Sequence, residues 1–287
     1  MLVEKITSRQ NPLVKRFRRV RVGSERHFVF LEGVRLIEDA LSSGARFEAV
    51  AFTADIESSE RGIRLLDLLQ QVSCRGAHLS TQVMEAITGT ATGQGVSAIV
   101  SRPHYELADL FSREPSLLVI ADRLQNPGNL GTIIRTAEAA GADGLITTPY
   151  TVEPWNDKAL RASMGAALRL PIVTGVKLEE VASLCRLHKL KIVGSRPSPP
   201  RSQPGVRRPR AAGKALNYTD ADFKTPVALV LSKEASGAEE RTAAIADEFV
   251  SIPMIGRVES LNVAAAAAIL LYEAARQRNF FAAAPRP

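Results

Sequence analysis

Cysteine is nearly absent. The 287-residue chain holds two, Cys74 and Cys185, neither with a neighbour at metal-ligand spacing. That excludes a disulfide framework, and with four scattered histidines it speaks against a zinc site. Both thiols are expected in ordinary core or half-buried positions. No apolar run reaches the roughly 20 residues of a membrane span. The first residues, MLVEKITSRQNP, lack the apolar core of a signal peptide. Acid is scarce in the first 26 residues and missing from 195–214. The expectation is a soluble, cytoplasmic protein with neither metal nor membrane partner.

What is present in quantity is apolar side chain and positive charge. Hydrophobic residues make up 45% of the chain, enough for a core, and the formal net charge is +7. Such a balance favours a polyanionic partner, of which nucleic acid is the commonest. A basic protein without that partner is the alternative.

The first 26 residues carry Lys5, Arg9, Lys15, Arg16, Arg18, Arg19, Arg21 and Arg26, and Asn11-Pro12 marks a helix start. A helix from there sets Leu13, Phe17 and Val20 on one side and cations over the rest. Most charge runs are solvated faces. Here the scarcity of interleaved acids favours phosphate contact by Lys15, Arg16, Arg18 and Arg19. Strands (FVFLEG, FEAVAFT, GAHLS) and helices (VRLIEDALSSG, RGIRLLDLLQQV) then alternate, and QGVSAIVSRP closes the series at Pro103. Alternation of this kind predicts a small α/β domain. HYELADLFSREP is a polar joint, so 1–105 reads as one domain and 106–287 as a second.

The second domain opens with the buried strand SLLVIADRLQ, which runs into a glycine-bearing turn and helix at 126–141. A strand at GADGLITTPY and a helix over 158–168 follow, then strands at LPIVTGV and LKIVGS around a helix. The proline- and arginine-rich stretch 195–214 reads as a surface loop within the domain. After the strand VALVLS, the helix AEERTAAIADEF and the strand FVSIPM, Pro253 and Gly256 break the chain. Ser260 offers a cap for an alanine-rich helix beginning near Leu261.

The polar loops of this half stand between apolar elements, where open α/β sheets hold ligands. NPGNLGTIIR is not a P-loop, for no Gly-Lys-Ser/Thr follows, and it lacks the G-x-G-x-x-G of a dinucleotide site. Alone it is a strand–turn–helix junction, and VESLN alone is a polar turn before a core helix. In order, however, NPGNLGTIIRTAEAAG (126–141), RASMGAALRLPI (161–172), ALVLSKEASG (228–237) and IPMIGRVESLN (252–262) resemble the motifs of the SpoU-type (TrmH-like) RNA ribose 2′-O-methyltransferases, a branch of the SPOUT superfamily. The resemblance covers 117–276. The N-terminal half, through SRQNPLVKRFRRV and FVFLEGVRLIEDAL, is similar to the substrate-binding domain that precedes many such catalytic domains, and it adds Arg35 to the expected RNA contacts.

The resemblance implies a small α/β RNA-binding domain followed by a SPOUT α/β domain with a C-terminal trefoil knot. It also implies a homodimer, S-adenosylmethionine as cofactor and no metal. It places the catalytic arginine at Arg135 and sets Asn129, Glu234, Ser260 and Asn262 beside it as further catalytic residues. Cofactor contacts fall to Leu231, Ser232, Gly237, Ile252, Met254 and Leu261. Each has a plainer reading: Ser260 and Asn262 as helix caps, Glu234 as a loop acid near a helix N-terminus, the apolar residues as core. A guanidinium suits grip on a phosphate or ribose oxygen better than proton abstraction. At Ser232 and Lys233 the chain departs from the family, which has glycine and then a small residue there. That keeps a second class in play, an RNA-binding or ribosome-assembly protein without catalysis. A third reading keeps the chemistry and changes the substrate from ribosomal to transfer RNA.

Overall fold

The computed structural model describes residues 1–88, 94–112, 114–197, 215–232 and 238–279. The chain forms two compact units, Met1–Pro103 with Trp155–Leu168, and His104–Pro154 with Arg169–Pro287.

The first unit holds a five-stranded sheet of β1 (Leu2–Ile6), β2 (Phe28–Glu32), β3 (Phe47–Phe52), β4 (Arg75–Leu79) and β5 (Val96–Ser101), in the order β1-β4-β3-β5-β2. β1, β4 and β3 run parallel, and β5 lies antiparallel to both β3 and β2. The edge strand β1 is a departure from the sequence reading. Four of its five residues are exposed, so it carries no burial pattern to read. Helices α1 (Pro12–Arg21), α2 (Val34–Ser42), α3 (Glu60–Gln70) and α4 (Thr81–Thr88) complete the unit. α1 starts where Asn11 Oδ1 accepts the Leu13 amide at 2.8 Å, with Pro12 at the first helical position. Its apolar side, Leu13, Val14, Phe17 and Val20, is buried in the core of the unit. Burial of each such side chain contributes about 1.5–3 kcal/mol. The Phe17 ring meets Phe30 edge-on, with centroids 6.5 Å apart.

The second half of the chain supplies α5 (Leu107–Phe111), β6 (Leu117–Asp122), α6 (Pro127–Ala139), β7 (Gly144–Thr147), α7 (Asp157–Ser163), β8 (Ile172–Val173), α8 (Leu178–Leu187) and β9 (Lys191–Ser195). β10 (Leu216–Asn217), β11 (Val227–Ser232), α9 (Ala238–Ala243), β12 (Glu248–Ser251) and α10 (Val263–Gln277) follow. Its seven strands form one parallel sheet in the order β10-β12-β9-β11-β6-β7-β8. All six residues of β6 and five of six in β11 are buried, which is why both read as continuous apolar runs.

Two helices differ from their expected form. The helix over 158–168 breaks early. α7 ends at Met164, whose φ of 51° is left-handed, and only a 3-10 turn over Ala166–Leu168 continues it. α7 belongs to the first unit, where Arg21 Nε bonds Asp157 Oδ2 at 3.4 Å. α10 begins two residues later than expected, and its cap is Asn262, not Ser260. Asn262 Oδ1 accepts the Ala264 amide at 2.8 Å, the reach that a cap side chain needs.

Candidate active site

The C-terminal ends of β6, β9, β11 and β12 open onto one cavity of about 580 Å³. From β6 the chain winds outward through β7 and β8, then returns to build the other half of the sheet with β9, β11 and β12. Ligands of open parallel sheets bind where winding reverses in this way. The turn after β6 contributes Leu124, Gln125, Asn126 and Asn129, and the end of β9 contributes Ser195, Arg196 and Pro197. Ser232 closes β11. Val250, Ile252, Met254, Ser260, Leu261 and Asn262 come from β12 and the loop beyond it, with Val263, Ala266 and Leu270 from α10. The volume is within the range of small-molecule sites, about 300–1,000 Å³.

Hydrogen bonds fix the polar side of the cavity. Asn126 caps α6, its Oδ1 accepting the amides of Gly128 at 2.8 Å and Asn129 at 3.2 Å. Asn262 Nδ2 then donates to Asn129 Oδ1 at 3.2 Å while its own Oδ1 caps α10. The loops after β6 and β12 are thus tied side chain to side chain.

Asp122, at the end of β6, is 2% exposed and pairs in register with Ser232. Its Oδ1 accepts from Thr148 Oγ1 at 2.7 Å, and its Oδ2 accepts from Arg241 Nη2 of α9 at 2.9 Å. A carboxylate this buried requires such partners. Arg241 therefore ties α9 to the end of β6, beside Ser232.

Seven residues expected from the sequence come together at the cavity: Asn129, Ser232, Ile252, Met254, Ser260, Leu261 and Asn262. Leu231 is fully buried within β11 and is not part of the lining. Arg135 is exposed on α6, outside the lining. Lys233, Glu234 and Gly237 lie outside the described residues, as does most of the loop expected at 195–214. In the first unit, Lys15, Arg18 and Arg35 are exposed. Arg16 is held by Glu25 at 3.3 Å, with its guanidinium 4.6 Å from the centre of the Phe28 ring, and Arg19 pairs with the same Glu25 at 3.0 Å. Sequence reasoning did not find Asn126, Arg196, Asp122 or Arg241. The Asn-Pro step was a readable cap signal for the first, whereas no local pattern marks the other three.

Comparison with known proteins identifies the family. The model of the SpoU rRNA methylase family matches residues 116–272, more than half of the chain, and that of the MRM3-like substrate binding domain matches 11–98. A 23S rRNA (uridine(2479)-2′-O)-methyltransferase of Streptomyces viridochromogenes is 31% identical over 257 residues, covering 86% of this chain and 82% of that protein. The 23S rRNA (guanosine(2553)-2′-O)-methyltransferase of Bacillus subtilis is 28% identical over 273 residues, covering 94% and 98%. The crystal structure of an AdoMet-bound rRNA methyltransferase from Sinorhizobium meliloti superposes with a TM-score of 0.78 at 29% identity, covering 96% of this chain and 98% of that one. The chain belongs to the SpoU rRNA methylase family.

Proposed function

We propose that this protein transfers the methyl group of S-adenosylmethionine to a ribose 2′-hydroxyl of RNA, with ribosomal RNA as the substrate. The observation that carries the reading is the cavity onto which the C-terminal ends of β6, β9, β11 and β12 open. Its residues fit the cofactor. Leu124, Val250, Ile252, Met254, Leu261 and Leu270 give apolar walls for an adenine, and Asn126, Asn129, Ser260 and Asn262 give amides and hydroxyls for the polar remainder. Ser232 stands half-buried on the wall where the resemblance puts glycine, and the cavity is open beside it. This favours a working enzyme over a binding module. The relatives that act on 23S rRNA favour ribosomal over transfer RNA.

Bound S-adenosylmethionine supplies an electrophilic methyl group. The task left to the chain is to hold the ribose oxygen in line and help its proton leave. Asn129, immobilised by Asn262, positions the ribose. Arg135, farther along the same helix and exposed, grips the RNA phosphate or the ribose oxygen as charge develops there. The resemblance assigns Glu234 to the chemistry and Gly237 to the cofactor, and Leu231 is buried in the strand that precedes them. In the first unit the RNA contacts are Lys15, Arg18 and Arg35, with Arg16 and Arg19 beside them.

The protein works in the cytoplasm as a homodimer, with its C-terminal loops knotted around the cofactor. Support for self-association comes from Ile255 at 86% and Val258 at 62% exposure on the loop beyond β12. A second copy covering these side chains would remove their apolar surface from water. The test of the function is titration calorimetry with S-adenosylmethionine, followed by transfer of labelled methyl to ribosomal and transfer RNA. Cofactor binding with ribose methylation of ribosomal RNA is expected. Binding to RNA without any affinity for the cofactor would return the reading to an assembly protein.

A further inference from the structure

Arg196 is the one charged side chain among the described residues that line the cavity. Its backbone is fixed, since its N–H donates to Val250 O at 3.1 Å. Its guanidinium lies 4.8 Å from the centre of the Phe249 ring. That ring can occupy its place only because residue 194 is glycine. A Cβ there would meet Phe249 Cε1 at 2.6 Å. Gly194, Phe249 and Arg196 thus form a stack at the end of β9 and β12 that holds a cation at the cavity wall.

A cation at this wall is at odds with most of the ligand proposed for it. S-adenosylmethionine carries a sulfonium and an ammonium, both of which repel a guanidinium. It has a single anionic group, the α-carboxylate, which matches the planar donor fork of arginine. We infer that Arg196 binds the α-carboxylate of S-adenosylmethionine and so makes the site selective for a cofactor bearing an intact amino-acid tail. This rests on the cofactor reading of the cavity and goes beyond it, because it assigns one group of the ligand to one side chain that the family motifs do not contain.

The probe is decarboxylated S-adenosylmethionine, which keeps the adenosine, sulfonium and amine and lacks only the carboxylate. Calorimetric titration of the full chain should show the native protein preferring S-adenosylmethionine by about tenfold or more, the scale of a hydrogen bond to a charged group. Arg196→Met should lose affinity for S-adenosylmethionine by that factor and lose none for the decarboxylated compound, whose two positive charges it no longer repels. Arg196→Lys, which keeps the charge without the fork, should retain part of the preference. Equal losses for the two ligands, as a damaged fold or a contact to the nucleoside would give, overturn the assignment, and so does no loss at all. A native protein that binds neither ligand overturns the cofactor reading itself, and this assignment with it.

Discussion

Asn262 Nδ2 donates to Asn129 Oδ1 across 133 residues of sequence, and the other end of the same amide caps α10. One side chain therefore joins the first and third motif loops and starts the helix behind them. Its two functions separate on substitution. Asn262→Asp keeps the capping oxygen and loses the donor, so the melting temperature should hold while methyl transfer falls about fivefold, the worth of one neutral hydrogen bond of about 1 kcal/mol. Asn262→Ala should lose about 1 kcal/mol of stability as well. Equal activity of the aspartate variant and the native protein in a steady-state assay would reduce the pair to a structural link.

The ion pair between Arg241 and Asp122 leads to a prediction about stability. Arg241→Met leaves a carboxylate that is 2% exposed with Thr148 as its remaining described partner. Urea denaturation should show a loss of about 3 kcal/mol, at the low end for a broken buried pair because Arg241 is itself partly exposed. A change within experimental error would mean that Asp122 is adequately solvated without it.

These two interactions show what the sequence could and could not reveal. Buried parallel strands such as β6 and β11 are legible because burial on both faces leaves an unbroken apolar run. The cap of α10 lies two residues beyond the expected serine because serine and asparagine cap equally well, and only the position of the Ala264 amide decides between them. The motif spacing led to Asn129, Ser232 and Asn262. Asp122 and Arg241 are 119 residues apart, and nothing local in either marks the other. α7 stops short because Met164 turns left-handed, a tertiary choice that a helix-favouring residue does not announce.

The basic helix divides into two kinds of cation. Lys15 and Arg18 face solvent, while Arg16 and Arg19 are paired with Glu25. Neutralising Lys15 and Arg18 together should lower the slope of log affinity against log salt by about 0.7–0.9 for each phosphate that they neutralise, measured on a ribosomal RNA fragment. Neutralising Arg16 and Arg19 should change the slope less and melting more. The reverse order would show that RNA draws these arginines away from Glu25.

Glu273 is 8% exposed and accepts from Arg276 at 2.7 Å and Gln277 at 2.8 Å. The bond from Arg276 chiefly lowers its pKa below 4.5, against the opposing effect of burial. A carboxyl depressed in the folded state stabilises the protein above its unfolded pKa, and that contribution disappears as pH falls through the folded value. Glu273→Gln should therefore lower stability at pH 7 by about 1 kcal/mol, since Arg276 is largely exposed. Chemical denaturation at pH 7 and at pH 3 should show the deficit shrinking at the lower pH. A deficit independent of pH would assign the effect to packing.

The central claim is ribose methylation that depends on Arg135. Purified protein, S-adenosylmethionine and unmodified ribosomal RNA are incubated together, and the RNA is digested to nucleosides and analysed by mass spectrometry. The account predicts a 2′-O-methylnucleoside at one site, absent with Arg135→Ala although that variant still binds S-adenosylmethionine in calorimetry. A methyl group on a base, or undiminished ribose methylation by the Arg135→Ala protein, would contradict it.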